Sequence, residues 1–205
     1  MATKVDICNM ALATLGDTAT VTSIDPPEGS AQADHCARFY PMALRDLLSA
    51  FSWRFATRRA RLAQISAEVP GEEGTKFYYA LPSDCLRVVS VHDSATNGGV
   101  IDYSVEFFNW RRVIVTASPD PWILYVTSEV EESLFTPAFS TALVHRLASM
   151  LAGPLVPGSS GVELCKSQLE LYQVFLDRAK MADVREGHGR ERYRPRFVGD
   201  AVMGA

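Results

Sequence analysis

The apolar positions of the chain change rhythm twice. Over residues 30 to 62, Ala33, Cys36, Ala37, Tyr40, Leu44, Leu47, Leu48 and Phe51 recur three or four apart, which lines one helical face with apolar groups. Ser30 offers a hydroxyl to the orphan N–H groups of a first turn. The stretch reads as one long amphipathic helix with a Trp- and Arg-rich exit, around which the remaining elements pack. Pro41 interrupts it, because proline cannot bond to the Ala37 carbonyl, and predicts a kink or a helix that restarts there.

Ahead of this stretch, Thr3 and Asp6 have the spacing of a capping box, and Gly16 suits a left-handed helix stop. Residues 4 to 15 are predicted as a first helix with Val5, Cys8, Leu12 and Leu15 inward. The run Asp25-Pro26-Pro27-Glu28-Gly29 is its connecting loop, and Pro70-Gly71-Glu72-Glu73-Gly74 is a second breaker.

From Phe77 to Ser128 the period becomes two. Strands are predicted near 77–81, 86–91, 101–108, 112–117 and 121–127, in one small antiparallel sheet. Turn residues stand at Asn97-Gly98-Gly99 and near Asn109 to Arg111, and Asp120-Pro121 is expected to keep the last strand short or at an edge. Helical spacing returns after Thr136-Pro137, with Phe139, Leu143, Leu147, Met150 and Leu151 running to a stop at Gly153-Pro154. After the link Gly158-Ser159-Ser160-Gly161, Ser160 and Glu163 open a long helix to about Arg185 with Val162, Cys165, Leu169, Tyr172, Leu176 and Ala179 as its seam.

These elements predict an α+β fold: an antiparallel helical bundle from 1–66 and 136–187, a β-sheet inserted at 76–128, and an extended C-terminal arm at 188–205. The arm is rich in Gly, Arg and Pro and has no period. Its Arg190, Arg192, Tyr193, Arg194, Arg196 and Phe197 are the residue types that most often carry interface energy, and are the candidate partner-interface residues. No internal repeat is found.

With 205 residues, 47% hydrophobic and 21% charged, the chain is sized for one globular domain. No apolar run approaches the roughly 20 residues of a membrane span, and MATKVDIC lacks the layout of a secretion signal, so a soluble intracellular protein is expected. Of the net charge of −4, residues 185–205 contribute +2 (five Arg against Glu186, Glu191 and Asp200), which leaves −6 on the body. An acidic body disfavours broad contact with phosphate backbones.

Cys8, Cys36, Cys85 and Cys165 are scattered without a CxxC pair and read as buried, reduced thiols. His35, His92, His145 and His188 lie in different elements without metal-ligand spacing. The GSSG at 158–161 joins helix to helix and is not a nucleophile elbow, and Cys85 has no histidine placed by sequence to activate it. No phosphate loop, dinucleotide fingerprint or calcium loop is present. No catalytic residue, metal or cofactor is predicted, and the weight falls on a structural or interaction role.

Three segments then show a family likeness. Ile7-Cys8-Asn9-Met10-Ala11-Leu12 with Leu15-Gly16, next Cys36, Tyr40, Arg45-Asp46, Leu48, Trp53-Arg54-Phe55-Ala56 and Arg59, and last Tyr79-Ala80-Leu81-Pro82-Ser83-Asp84-Cys85-Leu86-Arg87-Val88 stand in similar order and spacing to the tail tubular protein A family. The Leu124-Tyr125-Val126 strand and the two helices after it extend the likeness over residues 3 to 187, with LPSDCLRV its most specific piece. That family forms the head-to-tail adaptors of short-tailed bacteriophages. The resemblance implies a virion protein of the tail or neck, assembled in the host cytoplasm: a homo-oligomeric ring, twelvefold in the family, between portal protein and tail nozzle protein, with DNA passing its lumen without sequence-specific binding. Pro41 and the tail after Gly187 depart from the family pattern.

Two other readings compete with it. Trp53, Arg54, Phe55, Arg58, Arg59 and Arg61 interleave aromatic and cationic groups as a single-stranded nucleic-acid-binding module does; alternatively, Trp53 and Phe55 plug the bundle while the arginines cover its rim. An enzyme with a site assembled from distant residues is the third possibility.

Overall fold

A computed structural model describes residues 2–65, 76–94 and 98–187. The fold is α+β. Helix α1 (Lys4–Thr14) is opened by the predicted capping box: the Thr3 hydroxyl accepts from the Asp6 N–H while the Asp6 carboxylate accepts from the Thr3 N–H. Gly16 follows at φ +80°. Asn9, on the flank of α1, donates to the Val21 carbonyl at 2.9 Å and accepts the Val21 N–H at 2.8 Å, which pins the connecting loop to the helix.

Helix α2 (Ala31–Ser49) is shorter than the sequence predicts and does not restart at Pro41. Pro41 lies on the exposed side, where water can satisfy the carbonyl it leaves free. The chain then makes a short 3-10 turn (Arg54–Ala56) and enters strand β1 (Thr57–Arg61), followed by β2 (Ala63–Gln64). Residues 57–64, which the sequence places in the helical bundle, are therefore strands. Arg and Ala favour helices, but pairing of β1 with a later strand overrides a propensity of a few tenths of a kcal/mol per residue.

The remaining strands are β3 (Phe77–Ala80), β4 (Cys85–Asp93), β5 (Ser104–Phe108), β6 (Arg111–Thr116) and β7 (Pro121–Thr127). They form two antiparallel sheets rather than one, ordered β1-β7-β4 and β2-β3-β6-β5. Strand β7 is central, not an edge: Pro121 is its first residue, where a missing N–H costs the ladder little. Tyr79 and Ile114 of the wider sheet and Cys85, Val91, Ile123 and Tyr125 of the narrower one bury each other between the two layers. The breaker at Pro70 to Gly74 and Asn97 of the first hairpin turn lie outside the described residues.

Helix α3 (Pro137–Leu155), capped by Thr136, packs against α1, α2 and α4 (Ser159–Gly187) and forms the centre of the main core. It runs two residues past the predicted stop, because Pro154 forfeits only the bond to the Met150 carbonyl in a turn that is already ending. Helix α4 folds back antiparallel to α3, with His145 Nδ1 2.7 Å from Gln168 Oε1. Gly161 sits where the two helices close. A Cβ there would stand 2.0 Å from the Val156 carbonyl oxygen, so no larger residue fits without moving backbone.

Candidate interaction surface

The six arginine and aromatic residues that the sequence nominates as a partner interface, Arg190, Arg192, Tyr193, Arg194, Arg196 and Phe197, lie outside the described residues. The end of α4 that leads to them is firmly placed. Asp183, 3% exposed, accepts the backbone N–H of Arg54 at 3.1 Å, and Arg54 Nε donates to the Asp183 carbonyl at 2.9 Å.

The aromatic and cationic segment after α2 splits in two. Trp53 is fully buried, donates its indole N–H to the Leu47 carbonyl at 2.7 Å, and meets Phe139 edge to face at 5.0 Å. Phe55 packs on Phe135 and Phe139. Neither ring is free for a base to stack on, so the reading of these two as core plugs holds. Arg58 lies 3.8 Å from Asp84 and Arg54 is tied to Asp183. Arg59 and Arg61 emerge on the outer face of the three-stranded sheet with Trp122, and the Arg59 guanidinium lies 5.4 Å from the centre of the Trp122 ring. His92 stacks on the same indole at 4.0 Å, nearly parallel. The Gly98 carbonyl, 2.7 Å from Nδ1, can only accept. The ring is therefore satisfied as the Nδ1–H tautomer, which leaves Nε2 to accept from the Ser90 hydroxyl at 2.8 Å.

Asp84, from the LPSDCLRV stretch, is a structural clamp. Its carboxylate accepts from the Thr127 hydroxyl and from the Tyr125 phenol at 3.1 Å, and faces Arg58, so it joins the β3–β4 connection to both β1 and β7. Burial, then the hydrogen bond to Asp84, pushes the Tyr125 phenol up to about 12. Cys85 beside it is also pushed above the usual thiol range, chiefly by burial, the opposite of what a nucleophile needs. Cys8 and Cys36 hydrogen-bond each other in the core, and that bond with burial holds Cys8 protonated. All four cysteines are free thiols; Cys8, Cys36 and Cys85 are buried and Cys165 is half-buried.

The sequence places a turn near Asn109 to Arg111, but it does not single out the tip of the β5–β6 hairpin as a surface. Asn109 and Trp110 both have positive φ, +48° and +64°, the mirror-image turn that joins two strands directly. Trp110 at its tip is wholly exposed, and Phe107 is 80% exposed. The register explains this exposure. Val105 is opposite Ile114 and Phe107 opposite Arg112, so both point to the side of the sheet that elsewhere packs against the three-stranded layer. The four-stranded sheet is one strand wider, and β5 overhangs with its apolar side chains uncovered. Phe108, pointing the other way, packs on Tyr78 at 5.6 Å. The signal was present as Phe-Phe-Asn-Trp, three aromatics at a hairpin tip where polar turn residues are usual.

Among the described residues no group of three or more His, Cys, Asp or Glu could hold a metal ion, and no helix is long and apolar enough to cross a membrane. The chain matches no family model and no curated protein.

Proposed function

We propose that the protein is a non-enzymatic structural subunit of a short-tailed bacteriophage virion, a head-to-tail adaptor that forms a ring with copies of itself between portal protein and tail nozzle protein, and through which DNA passes. The resemblance of residues 3 to 187 supplies the assembly. The observation that carries the reading here is the overhanging β5–β6 hairpin, which leaves Val105, Phe107 and Trp110 exposed within six residues, apolar surface that an isolated soluble subunit has no use for. Aromatic anchors of this kind concentrate binding energy in subunit contacts. The residues quoted for the resemblance act on the fold itself: Asn9 pins a loop, Asp46 pairs with Arg146 at 2.6 Å between α2 and α3, and Asp84 clamps strands.

Light scattering and negative-stain imaging of the purified protein, alone and mixed with portal, test it. A ring-sized mass with portal is expected. A protein that stays monomeric and shows no binding to portal overturns the reading. Salt-dependent affinity for a single-stranded oligonucleotide would favour the nucleic-acid module instead.

A further inference from the structure

We propose that the tip of the β5–β6 hairpin docks in the groove between α1 and α3 of a second copy of this chain, a head-to-tail contact in which Trp110 is the inserted side chain. The inference rests on the reading of the chain as a ring-forming subunit and names the two surfaces that meet. A ring contact joins two different patches, so each subunit must carry both halves, whereas a two-fold contact joins a patch to itself. The chain presents both halves. The convex one is the hairpin: among the described residues Trp110 and Phe107 are the most exposed of the large apolar side chains. The concave one is a groove of about 760 Å³ between helices, with Met10, Thr14, Phe135, Pro137, Thr141 and Val144 in its wall and no charged residue there.

Two features of the groove select an indole. Thr14 and Thr141 donate their hydroxyl protons to the Ala11 and Pro137 carbonyls, at 2.7 and 3.0 Å, which leaves both hydroxyl oxygens able to accept. Trp110 carries the complementary group, since its Nε1–H can only donate and a buried indole needs an acceptor. Met10, 41% exposed although the other face of α1 is core, adds a thioether, which packs favourably on an aromatic ring.

The area fits a contact that works in numbers rather than alone. Burying the Trp110 and Phe107 rings removes roughly 150–250 Å² each from water, and with a matching area of groove the contact covers on the order of 600–1,000 Å². A stable pair needs about 1,200 Å² or more. One contact is therefore weak, a dilute chain stays monomeric, and the contact builds up only where many copies are held together.

The test is photocrosslinking in the full chain, with a benzophenone amino acid in place of Trp110 and isotopically heavy chains mixed with light ones, at high micromolar concentration and on portal. Crosslinks that join heavy to light chains and map to the peptides holding Met10 or Pro137 to Val144 are expected. Met10→Glu should lower their yield at least several-fold while leaving the circular dichroism unchanged, because Met10 is partly exposed. A Met10→Glu chain with the benzophenone at position 110 should still crosslink to a Trp110→Ser chain, whose groove is intact, but not to itself. A two-fold contact gives no such one-way pairing. Crosslinks within one chain, crosslinks to another surface, full yield after Met10→Glu, or failure of the one-way pair overturn the proposal. The contact and the adaptor reading fail separately: rings on portal with crosslinks elsewhere overturn the contact alone, and crosslinks in the groove without binding to portal overturn the adaptor reading alone.

Discussion

Asp183 and Arg54 exchange two hydrogen bonds across the fold: the carboxylate receives the Arg54 backbone N–H, and the arginine side chain returns one to the Asp183 carbonyl. Here the chain leaves α2 and turns toward the sheets, and the end of α4 is fastened to that turn. Asp183→Ala takes the acceptor from the Arg54 N–H and strips the Arg54 side chain of its carboxylate neighbour, and should cost about 1–3 kcal/mol in urea unfolding. Asp183→Asn, which keeps an acceptor oxygen, should cost less. Equal losses in the two variants would show that the carboxylate's charge, not the hydrogen bond, holds the joint.

Trp53→Ala removes the largest fully buried side chain together with its bond to the Leu47 carbonyl. A loss of about 3–5 kcal/mol is expected from the cavity and the lost burial. An unchanged denaturation midpoint would contradict the placement of the indole in the core.

The three groups around Asp84 predict a shared loss. Asp84→Ala should cost about 1–3 kcal/mol, since it strands the Tyr125 and Thr127 hydroxyls. Thr127→Val in that background should then cost little more, because the pair acts as one unit. Full additivity of the two changes, read from urea midpoints, would mean that the clamp does not exist.

Tyr125 gives the fold an alkaline limit. Its phenol is raised from 10.0 to about 12 in the folded protein, so above pH 10 the unfolded chain releases a proton that the folded chain keeps. Stability is fully present below pH 10 and falls as the pH rises toward 12. Tyr125→Phe should be less stable at pH 8, through loss of the bond to Asp84, yet lose less stability between pH 10 and 12. A slope identical to that of the wild type would assign the alkaline loss to other groups.

At the hairpin tip the expectation is the reverse. Trp110→Ser should change stability by no more than about 0.5 kcal/mol, because the indole touches little of its own chain. It should weaken ring formation on portal if the adaptor reading holds. Normal assembly by the variant would remove the hairpin from the interface.

Much of this was legible from side-chain period. The capping box at Thr3 and Asp6, the Thr136 cap, the five strands from β3 to β7 and the part of the α4 seam at Tyr172, Leu176 and Ala179 follow from local pattern, whereas Val162 and Leu169, expected in that seam, are exposed. What was not legible depends on distant partners. Residues 57–61 have helical propensity and become a strand because β7 lies alongside; β7 becomes central for the same reason, despite Pro121. The overhang of β5 is less visible still, since it arises from two sheets of unequal width and no single stretch records that difference. The candidate arm, placed by composition at 188–205, lies beyond the described residues.

The steric closure at Gly161 works as the fulcrum of a long lever. From that corner to Gly187 the helix extends about 39 Å, so a tilt of about 5° forced by a bulkier residue would move its far end by roughly 3 Å. That is more than the Asp183–Arg54 hydrogen bonds tolerate, although they lie at the opposite end of the helix from the residue that aims them. A methyl group added at the fulcrum is thus felt most strongly where the chain departs toward residue 188, and the smallest side chain in the hairpin determines where the tail of the protein is delivered.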